Sequence, residues 1–577
     1  MELNNIKSPA DIKSMTTEQL STLAGEMRAA LIKKLSLRGG HVGPNLGFLE
    51  STIALHYVFN SPSDKLVFDV SHQCYAHKML TGRMQAFTDE AHYGDVSGYT
   101  NPGESEHDHF MVGHTSTSVS LASGLAKARD FKGEKYNVIA IIGDGSLSGG
   151  EALEGLDVGA TLDSNFIVLV NDNQMSIAEN HGGLYENLKE LRESNGTCPV
   201  NLFKALGYDY IYVPYGNDLA SLIAAFEKVK DIDHPVVVHV NTMKGEGLAP
   251  AEQNKERFHY SAPFDPATGA LRSTSSTENY ADIFATHMLA RMKQDKTVCT
   301  LTAGTPAVLG FYPERRAEAG RQFIDVGIAE EHAVAMASGL AANGCKPVFG
   351  VASSFIQRTY DQLSQDLALN GNAATIVTFF TGAMALNDAT HLGFFSSSMI
   401  AGIPGITLLA PTCRGEFLAM LDWAIDQNGV PVVIAAPSAV VDREGDYNID
   451  YSHPTYETVA EGERVAIIAA GDFLPLGLEA AEVLKQRGIN AKVINPRTLN
   501  ILDTDCLDSL RDFEHVITLE DSCVDGGMGQ KIAAYLGEAP VKVTVKGLPR
   551  EFADRYNPAD LLKANGLTAE AIAAVAE

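Results

Sequence analysis

Short apolar runs rich in β-branched residues recur along this chain, each closed by turn residues and separated from the next by a helix-length stretch. This alternation is what most limits the folds open to it. KLVFDVS, NVIAIIGDG, NFIVLVNDN, DYIYVP and PVVVHVNT come first; TVCTLTA, QFIDVG, KPVFGVA, ATIVTFF, ITLLAP and PVVIAA follow; RVAIIAAGD, NAKVINP, HVITLED and VKVTVKG complete the series. Runs that are apolar throughout mark strands covered on both faces, and strands alternating with helices build parallel sheets. Polar stretches at 264–279 and 441–457 divide the runs into three sets, the first stretch reading as a linker. The expected architecture is α/β, three consecutive doubly wound domains over residues 1–275, 276–445 and 446–577.

Composition narrows the function classes. With 577 residues, 45% of them hydrophobic and 20% charged, the chain can bury several cores, and disorder is excluded as its main state. Its 44 Lys+Arg against 72 Asp+Glu leave a formal charge of −28, which argues against a nucleic-acid or anionic-membrane partner. The start, MELNNIKSPADIKSM, lacks an apolar h-region, and no apolar run is long enough to span a bilayer, so a cytoplasmic location is expected. Seven cysteines without CxxC spacing fit reduced thiols better than a disulfide framework or a zinc site.

The sharpest chemical feature is Gly143-Asp144-Gly145 closing one strand run and Asn171-Asp172-Asn173 closing the next. Asp144 and Asn173 are 29 residues apart, room for strand, crossover helix and strand, so both side chains should emerge at the carboxyl edge of neighbouring parallel strands. Both offer hard oxygen donors suited to Mg²⁺, which takes its remaining ligands from phosphates and water. Gly143 and Gly145 would let backbone approach a pyrophosphate, and a helix starting near Ser148 would aim its positive end at it. A bare Gly-Asp-Gly is more often a strand-ending turn; the Asn-Asp-Asn at this spacing reverses that preference.

With these motifs the sequence resembles the thiamine diphosphate enzymes, and among them the 1-deoxy-D-xylulose-5-phosphate synthase family, relatives of transketolase. The resemblance rests on GGHVGPNLGFLESTIALHYVFNSPSDKLVFDVSHQCYAHKMLTGR, GHTSTSVS, GDGSLSGGEALEGL, NDNQMSIAEN, GIAEEHAV and SFIQRTYDQ, in that family's order and across nearly the whole chain. It implies Asp144, Asn173 and the Met175 carbonyl as Mg²⁺ ligands, and Ser116 and Lys244 on the diphosphate side of the cofactor, with His72, His114, Gly143 and Gly145 also facing it. It implies Glu330 as the acid that exchanges a proton with the aminopyrimidine, and Phe355 as the ring stacked on it. His41, His259 and His391 are implied near the thiazolium and the substrate, and Arg358 facing the substrate; His77 and His332 read as structural. Pyruvate and an aldehyde, a sugar phosphate, are the implied substrates. A homodimer is implied, with the active site between the first two domains of one chain.

The sequence leaves the family pattern where the acceptor should bind. Family arginines are missing at Phe380, Ala435 and Ser438; a family tyrosine is Ala352, a carboxylate is displaced from Asn387 to Asp388, a serine is Pro44, and segment 178–202 is several tens of residues shorter than the family's mobile loop. Neutral residues do not replace the charge and paired donors of a guanidinium on a phosphate. Three readings are thereby set against one another: formation of 1-deoxy-D-xylulose 5-phosphate, a transketolase-like reaction with another donor or acceptor, and a cofactor-binding paralogue with little turnover. Retention of Glu330, His41 and His391 speaks against the third.

Overall fold

The structure is a computed structural model, described for residues 3–273, 277–453 and 455–576. Two compact units form, Met1–Ser276 with Gly327–Ala329, and Thr277–Val326 with Glu330–Glu577. The boundary expected between 275 and 276 lies outside the described residues.

The first unit is built on five parallel strands, β1 (Lys65–Phe68), β2 (Val138–Gly143), β3 (Phe166–Asp172), β4 (Asp209–Val213) and β5 (Pro235–Asn241), in the order β1-β2-β3-β5-β4. Alternate residues of one strand enter two different cores. Ile139, Ile141, Ile167, Leu169, Val236 and Val238 pack in one, Val138, Ala140, Ile142, Val168 and Val170 in the other. That is why the runs read as apolar throughout. The crossover from β2 to β3 is a 3-10 turn, Asp144–Ser148, and a helix, Gly150–Gly159, two residues later than the Ser148 start expected.

In the second unit, β6 (Val298–Thr302), β7 (Phe323–Asp325), β8 (Lys346–Ala352), β9 (Thr375–Phe379), β10 (Thr407–Leu409) and β11 (Val432–Ala435) form a parallel sheet ordered β10-β11-β9-β8-β6-β7. A further sheet contains β12 (Glu457–Ala460), β13 (Val465–Ala469), β14 (Ala491–Asn495), β15 (His515–Cys523) and β16 (Lys542–Leu548), ordered β12-β14-β13-β15-β16, with β12 antiparallel to β14. Ile376, Leu408 and Val433 of one sheet share an apolar cluster with Ala466, Ile468 and Ile494 of the other.

One strand is added and one reading of a polar segment is corrected. β12 begins at the last residue of the stretch read as polar; it is an edge strand without an apolar run, and Glu457 at its start is held by Arg443 at 2.7 and 2.8 Å. The supposed linker at 264 begins inside the first unit. Phe264 is fully buried against Phe258, its N–H donates to Ser36 O at 3.0 Å, and Arg272 Nε donates to the same oxygen. Burial of one phenyl side chain contributes about 1.5–3 kcal/mol, which outweighs the solubility of its polar neighbours. Among the described residues no helix is long and apolar enough to cross a membrane.

Candidate active site

Register brings the predicted metal ligands to one edge of the first sheet. Gly143 of β2 lies opposite Asn171 of β3, and Asp172 lies opposite Asn241 of β5, so the three strands end level. Asp144, Asn173 and Lys244 leave from those ends. Thr242 ties the edge together, its N–H donating to Asp172 O at 2.9 Å and its hydroxyl to Asn171 Oδ1 at 2.6 Å.

Asp144 is buried, and its Oδ2 accepts from Asn180 Nδ2 at 2.7 Å. Burial, then the neighbouring Asp172 charge, push its carboxyl above the usual range, opposed by Asn180 and Lys244. Asp172 behaves oppositely: although burial works against ionisation, the hydrogen bond and charge of His239 and the charge and hydrogen bond of Arg192 hold it below that range. Asn173 Oδ1 accepts from Met175 N–H at 3.2 Å, and Asp172 Oδ1 from Gln174 N–H at 3.1 Å, shaping a tight turn in which Gln174 has φ +66°.

The two glycines differ. A Cβ on Gly145 would lie 2.7 Å from Ser176 Cβ, so the close approach of two loops demands glycine there; a Cβ on Gly143 would meet nothing within 4 Å, so no protein neighbour demands it. Ser116 is fully buried, with φ +73°; its N–H donates to Asp69 Oδ1 at 2.8 Å and its hydroxyl to Ser146 O at 2.8 Å, bracing the turn after Asp144. Asp69 also accepts from Ser118 N–H at 2.9 Å and was not singled out from the sequence, although its place directly after the run KLVF was the available signal. His114 is half-buried two residues before Ser116.

Lys244 is buried, donating to Ser176 O at 2.5 Å, with Nζ 3.2 Å from His259 Nδ1. Desolvation brings its ammonium down to about 7, despite the favourable charge of Asp144. His41, His72 and His259 converge: ring centroids are 5.0 Å apart for His41 and His72, 5.8 Å for His41 and His259, and 5.1 Å for His72 and His259. The chain makes this cluster by zipping residues 40–43 to 258–261, with Gly40 and Ser261 exchanging two hydrogen bonds at 2.9 and 3.0 Å and Gly43 N–H donating to Phe258 O at 2.7 Å. Asn45, also missed by sequence reasoning, donates to both His41 O and His72 O, at 2.8 and 2.7 Å. Burial, followed by the charges of Lys244, His72 and His41, keeps His259 neutral well below the ordinary imidazole range. His77 is a buried structural group, paired with Asp108 Oδ1 at 2.9 Å and His56 Nε2 at 2.9 Å.

In the second unit Glu330 opens the helix Glu330–Ala342 and is only 4% exposed. Burial lifts its carboxyl to about 7, Arg358 opposing at 3.8 Å, and its Oε2 is buried without a hydrogen-bond partner among the described residues. Phe355 meets the edge of His391, ring centroids 5.5 Å apart. His391 Nδ1 is 2.8 Å from Thr390 Oγ1, and burial takes the ring down to about 4, so it is neutral at physiological pH. Phe380 is 43% exposed with φ +57°. Ala435 and Pro437 line a cleft together with Asp472, Glu520 and Asp521. Asp521 Oδ1 accepts from Ala383 N–H at 2.9 Å, and burial followed by the Asp472 charge pushes its carboxyl to about 7.

These residues fit a Mg²⁺-diphosphate and an aminopyrimidine. Among the described residues no group of three or more His, Cys, Asp or Glu could hold a metal. A cation beside Asp144 and Asn173 would take its remaining ligands from backbone carbonyl, phosphate and water oxygens, as Mg²⁺ does. The uncovered face of Gly143 leaves backbone approachable, and Glu330 Oε2, without a hydrogen-bond partner among the described residues, can share a proton with a ring nitrogen.

Comparisons with known proteins agree along the chain. A family model described as 1-deoxy-D-xylulose-5-phosphate synthase matches residues 3–198 and 193–242. The transketolase pyrimidine binding domain matches 277–442, and the transketolase C-terminal domain matches 455–572. The 1-deoxy-D-xylulose-5-phosphate synthase of Pelotomaculum thermopropionicum is 38% identical, over 99% of this chain and 96% of that protein. That of Desulforudis audaxviator is 36% identical over 100% and 97%, and synthase 1 of Geobacter sulfurreducens 38% over 100% and 97%. Agreement of this extent, on a chain whose sheet edges carry the motifs in register, places it plainly: it belongs to the 1-deoxy-D-xylulose-5-phosphate synthase family.

Proposed function

We propose that this chain decarboxylates pyruvate and joins the remaining two-carbon unit to D-glyceraldehyde 3-phosphate, releasing CO₂ and 1-deoxy-D-xylulose 5-phosphate, with thiamine diphosphate and Mg²⁺ as cofactors. The observation that carries this reading is Glu330, a buried carboxyl whose Oε2 has no hydrogen-bond partner among the described residues and whose affinity for protons is matched to neutral pH. Thiamine diphosphate, when bound, supplies the carbon nucleophile and electron sink that side chains lack.

The chain's own residues do the rest. Asp144 and Asn173, with the Met175 carbonyl, hold Mg²⁺, and Lys244 brings a point charge toward the diphosphate. Ser116 keeps the turn after Asp144 in shape through its bond to Ser146. Glu330 holds and returns a proton at Oε2. His259 and His391 are neutral: Lys244 occupies Nδ1 of His259, so its Nε2 carries a proton that can be donated to a substrate oxygen, whereas the Thr390 hydroxyl, which itself donates to Asp388, takes up Nδ1–H of His391 and leaves its Nε2 as an acceptor. Phe355 offers a ring face and Arg358 a cation for the pyruvate carboxylate. Roles divide as diphosphate binding in 1–275, pyrimidine binding in 276–445 and a transketolase-like C-terminal domain in 446–577. A homodimer in the cytoplasm completes the reading.

The test supplies purified protein with thiamine diphosphate, Mg²⁺ and pyruvate, and follows CO₂ while single aldehydes are added. Acceleration by D-glyceraldehyde 3-phosphate is expected. Acceleration by a different aldehyde alone would move the acceptor assignment, and silence throughout would defeat the enzymatic reading.

A further inference from the structure

The segment that is short in this chain is folded onto the proposed metal site. Its helix, Gly183–Glu193, buries Leu188 and Leu191 in the core behind the first sheet, with Leu184 packed at the margin. That spacing makes one apolar face, and the next residue, Arg192, is carried to the carboxyl end of β3. There Arg192 donates to Asp172 Oδ2 at 2.5 Å. From the same segment Tyr185 donates its hydroxyl to Gly145 O at 3.2 Å, and Asn180 donates to Asp144 Oδ2 at 2.7 Å.

Asp172 is held from a second side. Its Oδ2 also lies 2.8 Å from His239 Nε2, and His239 Nδ1 lies 2.8 Å from the Tyr210 hydroxyl. An ionised carboxylate only accepts, so Nε2 carries the proton and Nδ1 accepts from Tyr210. With Oδ2 clamped by two donors, the other oxygen is aimed at Gln174 N–H, 3.1 Å away. That bond sets the turn on which Asn173 Oδ1 and the Met175 carbonyl are presented.

We propose that Arg192 is a positioning residue for the cofactor's Mg²⁺, acting through Asp172 and the Gln174 amide to hold the Asn173–Met175 turn in its ligating shape, with His239 and Tyr210 as the opposite brace. The inference rests on the proposed thiamine diphosphate and Mg²⁺ function. Arg192 touches neither ligand. The chemistry is geometric: a bidentate-capable cation and an imidazole, arriving from different elements, remove the freedom of one carboxylate.

Groups that orient metal ligands are worth about 10–100-fold in metal affinity. Calorimetric titration of thiamine diphosphate into the full-length apoprotein, repeated over a series of Mg²⁺ concentrations, gives the Mg²⁺ needed for half-maximal cofactor binding. Arg192→Met should raise that concentration about 10–100-fold. Arg192→Lys, which keeps a cation within reach, should restore most of it. Arg192 is 17% exposed at its side chain, and Arg192→Gln offers a second neutral variant should the methionine disturb folding. Thermal unfolding is measured alongside. A neutral variant that melts earlier yet keeps the wild-type Mg²⁺ requirement overturns the proposal, as does a Lys variant no better than Met. Failure of the unaltered protein to bind thiamine diphosphate in a Mg²⁺-dependent way would instead overturn the function on which it rests.

Discussion

Glu330→Gln separates the cost of a buried acid from its use. Raising the carboxyl from 4.5 to about 7, at about 1.36 kcal/mol per pH unit, costs the folded apoprotein about 3 kcal/mol once the pH exceeds both values. The folded form binds this proton more tightly than the unfolded chain. Its contribution to stability is therefore complete below pH 4.5 and is lost as the pH rises through about 7. Glutamine has nearly the same shape and no charge to bury. Urea unfolding of the two apoproteins should give near-equal stability at pH 4.5, and the glutamine variant should be more stable at pH 8.5, by up to about 3 kcal/mol. The same variant should lose about 10²–10⁴-fold in kcat for CO₂ release from pyruvate, the range general acid–base groups supply. A stability difference that does not change with pH would refute the assignment of a buried, proton-retaining carboxyl. Undiminished turnover would refute its catalytic role.

Two further outcomes are expected. Ala435 and Pro437 stand with Asp472 and Asp521 around a cleft where family members carry arginine, and a charged hydrogen bond is worth about 1.5–3 kcal/mol. The KM for D-glyceraldehyde 3-phosphate should thus lie about 10–100-fold above the ordinary range, and Ser438→Arg should lower it; an ordinary sub-millimolar KM in steady-state kinetics contradicts the argument. Asp521, lifted to about 7 by burial and then by Asp472, stabilises the fold below the unfolded value and loses that contribution as the pH rises toward 7. Asp521→Asn should flatten this decline in Tm between pH 4 and 8, and an unchanged slope would show that the carboxyl is ionised throughout.

Much of the fold was legible because strands covered on both faces must be apolar at every position. All three sheets announced themselves this way, and Asp144 and Asn173 could be placed at neighbouring strand ends from spacing alone. What escaped is held by single contacts rather than by pattern. β12 is a half-buried edge strand stabilised by Arg443 and Asn495 on Glu457, and periodicity carries no trace of such pairs. Phe264 lies in a polar stretch, and its pocket beside Phe258 and its bond to Ser36 O show that it belongs to the first unit. In the site, motif residues carry their chemistry in their own identity, whereas Asp69, Asn45 and the Arg192–Asp172–His239 brace connect positions far apart in the chain. The meeting of His41, His72 and His259 depends on residues 40–43 zipping to 258–261, a long-range pairing with no local signal.

The apolar cluster shared by the second and third sheets has a consequence for how the protein is made. All but three residues of the first unit lie in the first 276, so that unit can acquire most of its core while the ribosome is still working. The second sheet has no such independence. Until Ala466, Ile468 and Ile494 have emerged, Ile376, Leu408 and Val433 have an unfilled side, and a nascent chain paused between them presents water with a surface of the kind chaperones and neighbouring chains bind. Synthesis of the last 130 or so residues is, for this half of the protein, part of folding the half before it.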